Sequence, residues 1–345
     1  MRFSVLRQLA VSALLLAAPA LAAAQEYQVE EVPSAVDVDP ARLKPRNVVF
    51  SDHRKDELAD AVSGLISFED WTRARPIQKQ LLSLYPSYSE PTINVTVHGL
   101  TKPYKEKLHV YVADARFVVD RAPSSIDISR FARLDVIEAL DPSIKHRRIS
   151  PAEAEPYTDP DSAHNRHPQR RWCEAPETLC IASRYQLEGK LPLGIRLANK
   201  LEDSGKKIAE YVEFQSEVRA LPGTEATQAG FGKLTGLATP VAGALEQNLF
   251  HVNQMMQFGK FLAVLQAHPS DPNKSVATVF VALAVETDVL EKKKEYEKVP
   301  VLRNLVPAQV LMGQSSFNTG NSISAGLPEY ARNRIRAVAA LLARP

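Results

Sequence analysis

Residues 276–285 read Val-Ala-Thr-Val-Phe-Val-Ala-Leu-Ala-Val, ten residues in which Thr278 alone is polar. A helix that crosses a bilayer needs about 20 apolar residues, so a run this short belongs to a buried strand. It follows 261–267 and the connection His268-Pro-Ser-Asp-Pro-Asn-Lys274, which is made of turn formers. A hairpin with a buried member requires a sheet. At 345 residues and 45% hydrophobic, the chain has ample material to cover one.

Periodicity predicts the other elements. Leu58, Ala61, Val62 and Leu65 recur at helical spacing within 55–84. Ser67-Phe-Glu-Asp70 has the form of a capping box opening a second helix, with Pro76 placed to kink it. Ile93, Val95 and Val97, then Leu108, Val110 and Val112, alternate with polar residues as strands do. Residues 99–107 would join them as a hairpin connection, 117–119 adds a third strand, and 129–140 reads as a helix ended by Asp141-Pro142. Residues 25–50, with Pro33, Pro40 and Pro45, read as an extended lead-in that packs on the body. After Cys180 the pattern predicts strands at 181–188, 207–221, 249–253, 258–267, 276–286 and 308–312. A short helix is expected at 193–201 and a loop at 222–244. An amphipathic helix at 327–342 turns Ile335, Val338, Leu341 and Leu342 inward. The segment 141–180 holds six prolines and reads as a linker or surface excursion. The expected class is α+β, an antiparallel sheet with a C-terminal amphipathic helix packed on it. The expected division is an N-terminal α+β region 25–140, the Pro-rich segment 141–180 and a C-terminal α+β domain 181–345.

Residues 1–24 read as a secretory signal peptide. Arg2 and Arg7 supply its positive start, 9–22 is apolar except for Ser12, and Ala22-Ala23-Ala24 supplies the small residues for cleavage after Ala24. No cysteine sits at that point, which argues against a lipoprotein. A soluble protein of the periplasm, or a fully secreted one, is expected, without a transmembrane anchor in the mature chain. The formal charge of +2 belongs to the two arginines of the leader, so the mature body is formally neutral. A neutral body lacks the basic surface that binds nucleic acid. Cys173 and Cys180 agree with export: in an oxidising compartment they are expected to close a local disulfide, free thiols being the alternative.

The chain carries few signals of chemistry. Gly320-Asn-Ser-Ile-Ser lacks the closing glycine of a nucleophile elbow, and Ser204-Gly-Lys-Lys207 lacks the partner motifs of a Ser-x-x-Lys enzyme. Asp159, Asp161, His164 and His167 cluster in the Pro-rich segment, where a solvated loop explains them better than a metal. No metal or cofactor is expected. The loop 313–326 concentrates hydroxyls, amides and glycines before the last helix, and Ser315, Asn318, Thr319 and Asn321 are its candidate ligand contacts. Residues 246–257 interleave amides with Leu, Phe, Val and Met. Placed on a strand, they would sort the amides to one face and the apolar groups to the other, with His251 and Met255 as candidate pocket residues.

The order of elements over 181–345 (strand, short helix, several antiparallel strands, long closing helix) resembles the helix-grip layout of START-like lipid-binding domains. That resemblance implies a curved sheet around the last helix and an apolar cavity between them. The function expected is non-catalytic binding of a small hydrophobic or amphipathic ligand in the C-terminal region. The alternatives are a cell-envelope hydrolase, with His251 acting on Ser315 or Ser316, and a structural or assembly partner that uses 141–180 as an arm.

Overall fold

A computed structural model describes residues 27–52, 54, 57–59, 64–74, 92–97, 100–105, 108–140, 144–157, 171–186, 211–252, 256–286 and 322–344. Ten strands share one sheet. Its order is β1 (Gln28–Glu31), β2 (Asn47–Asp52), β6 (Leu108–Val119), β12 (Ser275–Glu286), β11 (Met256–Ala267), β10 (Val241–Val252), β9 (Tyr211–Pro222), β8 (Leu179–Gln186) and β7 (Ile144–Arg148), and β3 (Ile66–Ser67) also pairs with β6. β1 lies parallel to β2, and the remaining pairings are antiparallel. A separate hairpin joins β4 (Thr92–Val97) to β5 (Leu100–Lys105). The helices are α1 (Phe68–Ala74), α2 (Leu134–Leu140), α3 (Pro151–Ala154), α4 (Glu225–Thr235) and α5 (Ser322–Leu342).

Successive side chains of a strand point to opposite faces, and here both faces are covered. On one face Tyr111, Ala113, Val281, Leu283 and Phe261 pack under Leu327, Ala331, Ile335 and Ala339 of α5. On the other, Val110, Val112, Phe280, Ala282 and Leu262 pack under Phe231 and Leu234 of α4 and Phe68 and Trp71 of α1. β12 lies under α5 on one face and under α4 and α1 on the other, so neither face meets water, and its sequence is apolar at nearly every position. The expected class, an antiparallel sheet carrying a C-terminal helix, is the class found.

Several elements differ from expectation, each for a local reason. The stretch 222–244, read as a loop, contains α4. Thr224 Oγ1 accepts from Thr227 N at 3.2 Å to start the helix, and Gly236 at φ +66° ends it. Its glycines and threonines weaken the apolar stripe, so the caps mark it more clearly than periodicity does. Within 55–84, Leu58 is exposed in a turn and Ala59 forms a bridge to Ile66, so no helix runs through these positions. The second helix begins where its capping residue places it, after Ser67, whose Oγ accepts from Asp70 N at 3.1 Å. The expected connection 99–107 is itself a strand, β5, and 108–119 is one strand rather than two. Pro103 fits β5 because a two-stranded hairpin has open edges. Residues 129–140 split into a 3-10 turn at Ile128–Ala132 followed by α2. The Pro-rich segment supplies β7, which pairs with β8, and α3, which opens on a capping box between Ser150 and Glu153. Strands from both sides of that segment build the same sheet, since β6 pairs with β12 over its whole length. The signal peptide, the helix at 193–201, the strand at 308–312 and residues 313–321 of the expected loop lie outside the described residues, and the last part of that loop, 322–326, is already helix in α5.

The lead-in is tied to the sheet by two buried charges on β6. Asp114 accepts from the backbone N–H groups of Ala35 (2.9 Å) and Val36 (3.2 Å). Arg116 donates to the carbonyl of Val38 at 2.9 Å, to Thr278 Oγ1 at 3.2 Å, and to the carbonyl of Thr235 at the end of α4. Burial lowers the Arg116 pKa to about 10, so the cation persists at neutral pH. Removing one member of a buried charged set leaves the others uncompensated, at a cost of about 3–5 kcal/mol. Arg116→Met should therefore lower the urea midpoint by an amount corresponding to that loss. Arg116→Lys should not restore it, because one ammonium cannot span three acceptors on separate elements. A midpoint unchanged by Arg116→Met would refute this account of the lead-in.

Candidate functional site

Of the ligand contacts expected from sequence, Ser315, Asn318, Thr319, Asn321 and Met255 lie outside the described residues, as do Asp159, Asp161, His164 and His167. His251 sits near the end of β10, half-buried, opposite Gln215 of β9 and just past an irregularity in the strand pairing. Cys173 and Cys180 form the disulfide, with Cα atoms 5.7 Å apart. A different His/Ser contact occurs at the far edge of the sheet, where His146 Nδ1 lies 2.8 Å from Ser183 Oγ. The two residues are cross-strand partners in β7 and β8, and Ser183 is fully buried, so the contact joins strands rather than presenting a nucleophile.

The amides of β10 are not sorted onto one face. Gln247 and Asn248 are neighbours in sequence and must point in opposite directions. Asn248 and Glu246 face α4, whereas Gln247 shares the α5 face with Leu245 and Leu249. On the α4 side the buried charges are paired. Lys260 Nζ, fully buried, lies 3.0 Å from Glu246 Oε2, and Arg219 approaches the same carboxylate at 3.7 Å. Glu217 accepts from Asn248 Nδ2 at 3.1 Å and from the Cys173 N–H at 3.2 Å. Beside it Trp172 stacks on Phe250 with centroids 5.0 Å apart. These charges satisfy one another across the strands and fix their register.

The α5 side is built differently. Two cavities of about 20 and 40 Å³ lie between the helix and the sheet, and they share Leu140, Leu245, Ala263 and Val338 in their walls. The smaller one is lined entirely by apolar residues, reaching Leu341 and Leu342 at the end of α5. The larger one adds two polar residues, Gln247 and Arg334. Gln247 is buried, donates to Ser216 Oγ at 3.0 Å and accepts from Arg334 Nη2 at 3.0 Å. The Arg334 guanidinium also lies 5.9 Å from the centre of the Phe261 ring, which itself meets Tyr330 edge-on. Sequence reasoning missed Arg334 and Gln247 because neither belongs to a motif. The available signal was an arginine two residues from Arg332 and Arg336, at a helix position where those two cannot follow it onto the same side.

Toward the start of α5 a second polar group is buried on this face. The Tyr111 hydroxyl finds no hydrogen-bond partner among the described residues. Near it, Asp52 accepts from Arg54 Nε at 2.8 Å and meets Arg332 at 3.6 Å, and Arg332 also pairs with Glu31. Burial first, and then the Asp52 carboxylate, push the Tyr111 phenol far above its ordinary range. Among the described residues no three His, Cys, Asp or Glu side chains converge as a metal site, and no helix is long and apolar enough to cross a membrane.

No family model matches the chain, and no curated protein matches it. Among solved structures, the human StarD13 (DLC2) lipid transfer and protein localization domain is similar at a TM-score of 0.31 and 7% identity, over 79% of this chain and 98% of that one.

The Tyr111 environment sets a pH dependence. The folded state holds the neutral phenol, so this contribution to stability is complete below pH 10 and is lost as pH rises beyond it, where the unfolded chain ionises. Tyr111→Phe should remove the buried hydroxyl, raise stability by about 1 kcal/mol and move the onset of alkaline unfolding to higher pH. Circular-dichroism melts between pH 7 and 11 measure both effects, and a variant that melts earlier at pH 7 would show that the hydroxyl is bonded in the folded state.

Proposed function

We propose that this protein is an exported, non-catalytic binder of a small hydrophobic or amphipathic molecule, held between α5 and the sheet. The observation that carries this reading is the pair of adjoining cavities beneath α5, apolar throughout except for one wall formed by Gln247 and Arg334. Sites for small molecules are mostly apolar, with a few placed polar groups that orient the ligand.

The cavities have room for a few waters, so a ligand enters by displacing α5 outward. Polar ties that resist this include three sets. Arg332 meets Glu31 and Asp52, Arg334 meets Gln247, and Arg121 donates to carbonyls at the end of the helix. The apolar contacts of Leu327, Ala331, Ile335 and Ala339 with the sheet are of a kind that an apolar ligand can replace. The α4 side offers no such exchange, because moving its cover exposes buried charges.

Mature protein incubated with a lipid extract should retain a bound small molecule in native mass spectrometry and melt several degrees higher. Ala263→Leu fills the wall shared by both cavities, so it should abolish the bound species while the apo protein melts no lower than wild type. Absence of any bound species and of any shift in melting would overturn the proposal, as would binding unaffected by Ala263→Leu.

A further inference from the structure

We infer that the molecule held beneath α5 is an anionic amphiphile whose carboxylate is recognised by Arg334. This inference rests on the binding reading above and adds the chemical class of the ligand.

α5 carries arginines at 332, 334 and 336, and the first and second have different surroundings. Arg332 is neutralised by Glu31 and Asp52. Arg334 meets only the side-chain carbonyl of Gln247 and the face of Phe261 among the described residues. An amide oxygen and an aromatic face both attract a cation without cancelling its charge. Among the described residues Gln247 takes one of the five N–H groups of the guanidinium, and the rest form a planar fork that matches a carboxylate.

The position of Arg334 fits a head group rather than a buried charge. It is half-exposed and lines the larger cavity, so a carboxylate there keeps contact with water while its tail enters apolar surroundings. The smaller cavity reaches Leu342, eight residues further along the helix, which is about 12 Å at 1.5 Å per residue. A medium-length unbranched tail lying along α5 therefore passes through both cavities. Gln247 holds the guanidinium toward the cavity, and Ser216 holds Gln247.

Titration calorimetry with decanoate, 1-decanol and decyltrimethylammonium separates the head group from the tail. Wild-type protein should bind decanoate about tenfold more tightly than decanol, equivalent to about 1.4 kcal/mol, and bind the ammonium weakest. Arg334→Gln should erase that preference by weakening decanoate about tenfold while decanol changes less than twofold. Arg334→Lys should keep part of it, and its melting curve provides a folding control that retains the charge. If decanol and decanoate bind wild type equally, and Ala263→Leu still abolishes both, the cavity reading stands and the anionic head group is refuted. A decanoate preference that survives Arg334→Gln refutes the role of Arg334. If none of the three probes binds, both the inference and the reading beneath it fail.

Discussion

The guanidinium of Arg116 is where four stretches of chain are made to meet. It projects from β6, takes Thr278 of β12 beside it, and closes over the carbonyls of Val38 in the lead-in and Thr235 at the end of α4. A buried cation must be saturated with acceptors or it costs several kcal/mol. That requirement places the end of a helix and a bend of the lead-in on this spot of the sheet. The C-terminus of a helix suits the role, since its last carbonyls lack partners and carry the negative end of the macrodipole. Gly236 at φ +66° turns the chain away immediately afterwards. Asp114, two residues earlier on the same strand, does the complementary job by accepting the N–H groups of Ala35 and Val36.

The same logic continues across the α4 face and stops at the α5 face. Lys260, Glu246, Arg219, Asn248 and Glu217 form a cross-strand set whose members satisfy each other, so that face tolerates little movement. The α5 face includes small apolar residues, Ala331 and Ala339 on the helix and Ala113 and Ala263 on the sheet. Paired buried charges tie the strands together on one side of the sheet, and apolar packing lines the cavities on the other. This asymmetry is why a ligand site is read beneath α5 and not beneath α4.

How far the fold is legible from residues depends on what each residue answers to. The hairpin of β11 and β12 was readable because burial on both faces leaves an uninterrupted apolar run, and α5 because burial on one side leaves a helical stripe. The Cys173–Cys180 pairing was readable from their spacing together with the expectation of export. α4 was not, since Gly232, Thr227 and Thr235 dilute its apolar side, although Thr224 and Gly236 mark its ends. The joining of both halves in one sheet was hidden for a different reason. The pairing of β6 with β12 spans more than 150 residues of sequence, and no local pattern records which strand lies beside which. Lys260 and Glu246 look like ordinary surface charges in the sequence, because a charge inside a strand shows its partner only when the neighbouring strand is in place. Gln247 and Arg334 are a similar case: one lies on β10, the other on α5, and their contact exists only once the helix is docked.

The cavities beneath α5 have an energetic side that bears on their meaning. At roughly 24 cal/mol per Å³, voids of about 20 and 40 Å³ forgo on the order of 1.5 kcal/mol of packing, part of which a larger residue at Ala263, which lines both, would recover. A tail occupying the same space recovers it as binding energy, because the contacts missing from the walls are the ones it supplies. It also has to open the helix, and that work falls on the contacts of α5 with Gln247, Glu31 and Asp52. On the proposed reading a carboxylate adds a partner to Arg334 beside Gln247, so it would return part of the opening work. A neutral ligand would gain no such partner and would open the helix on tail burial alone.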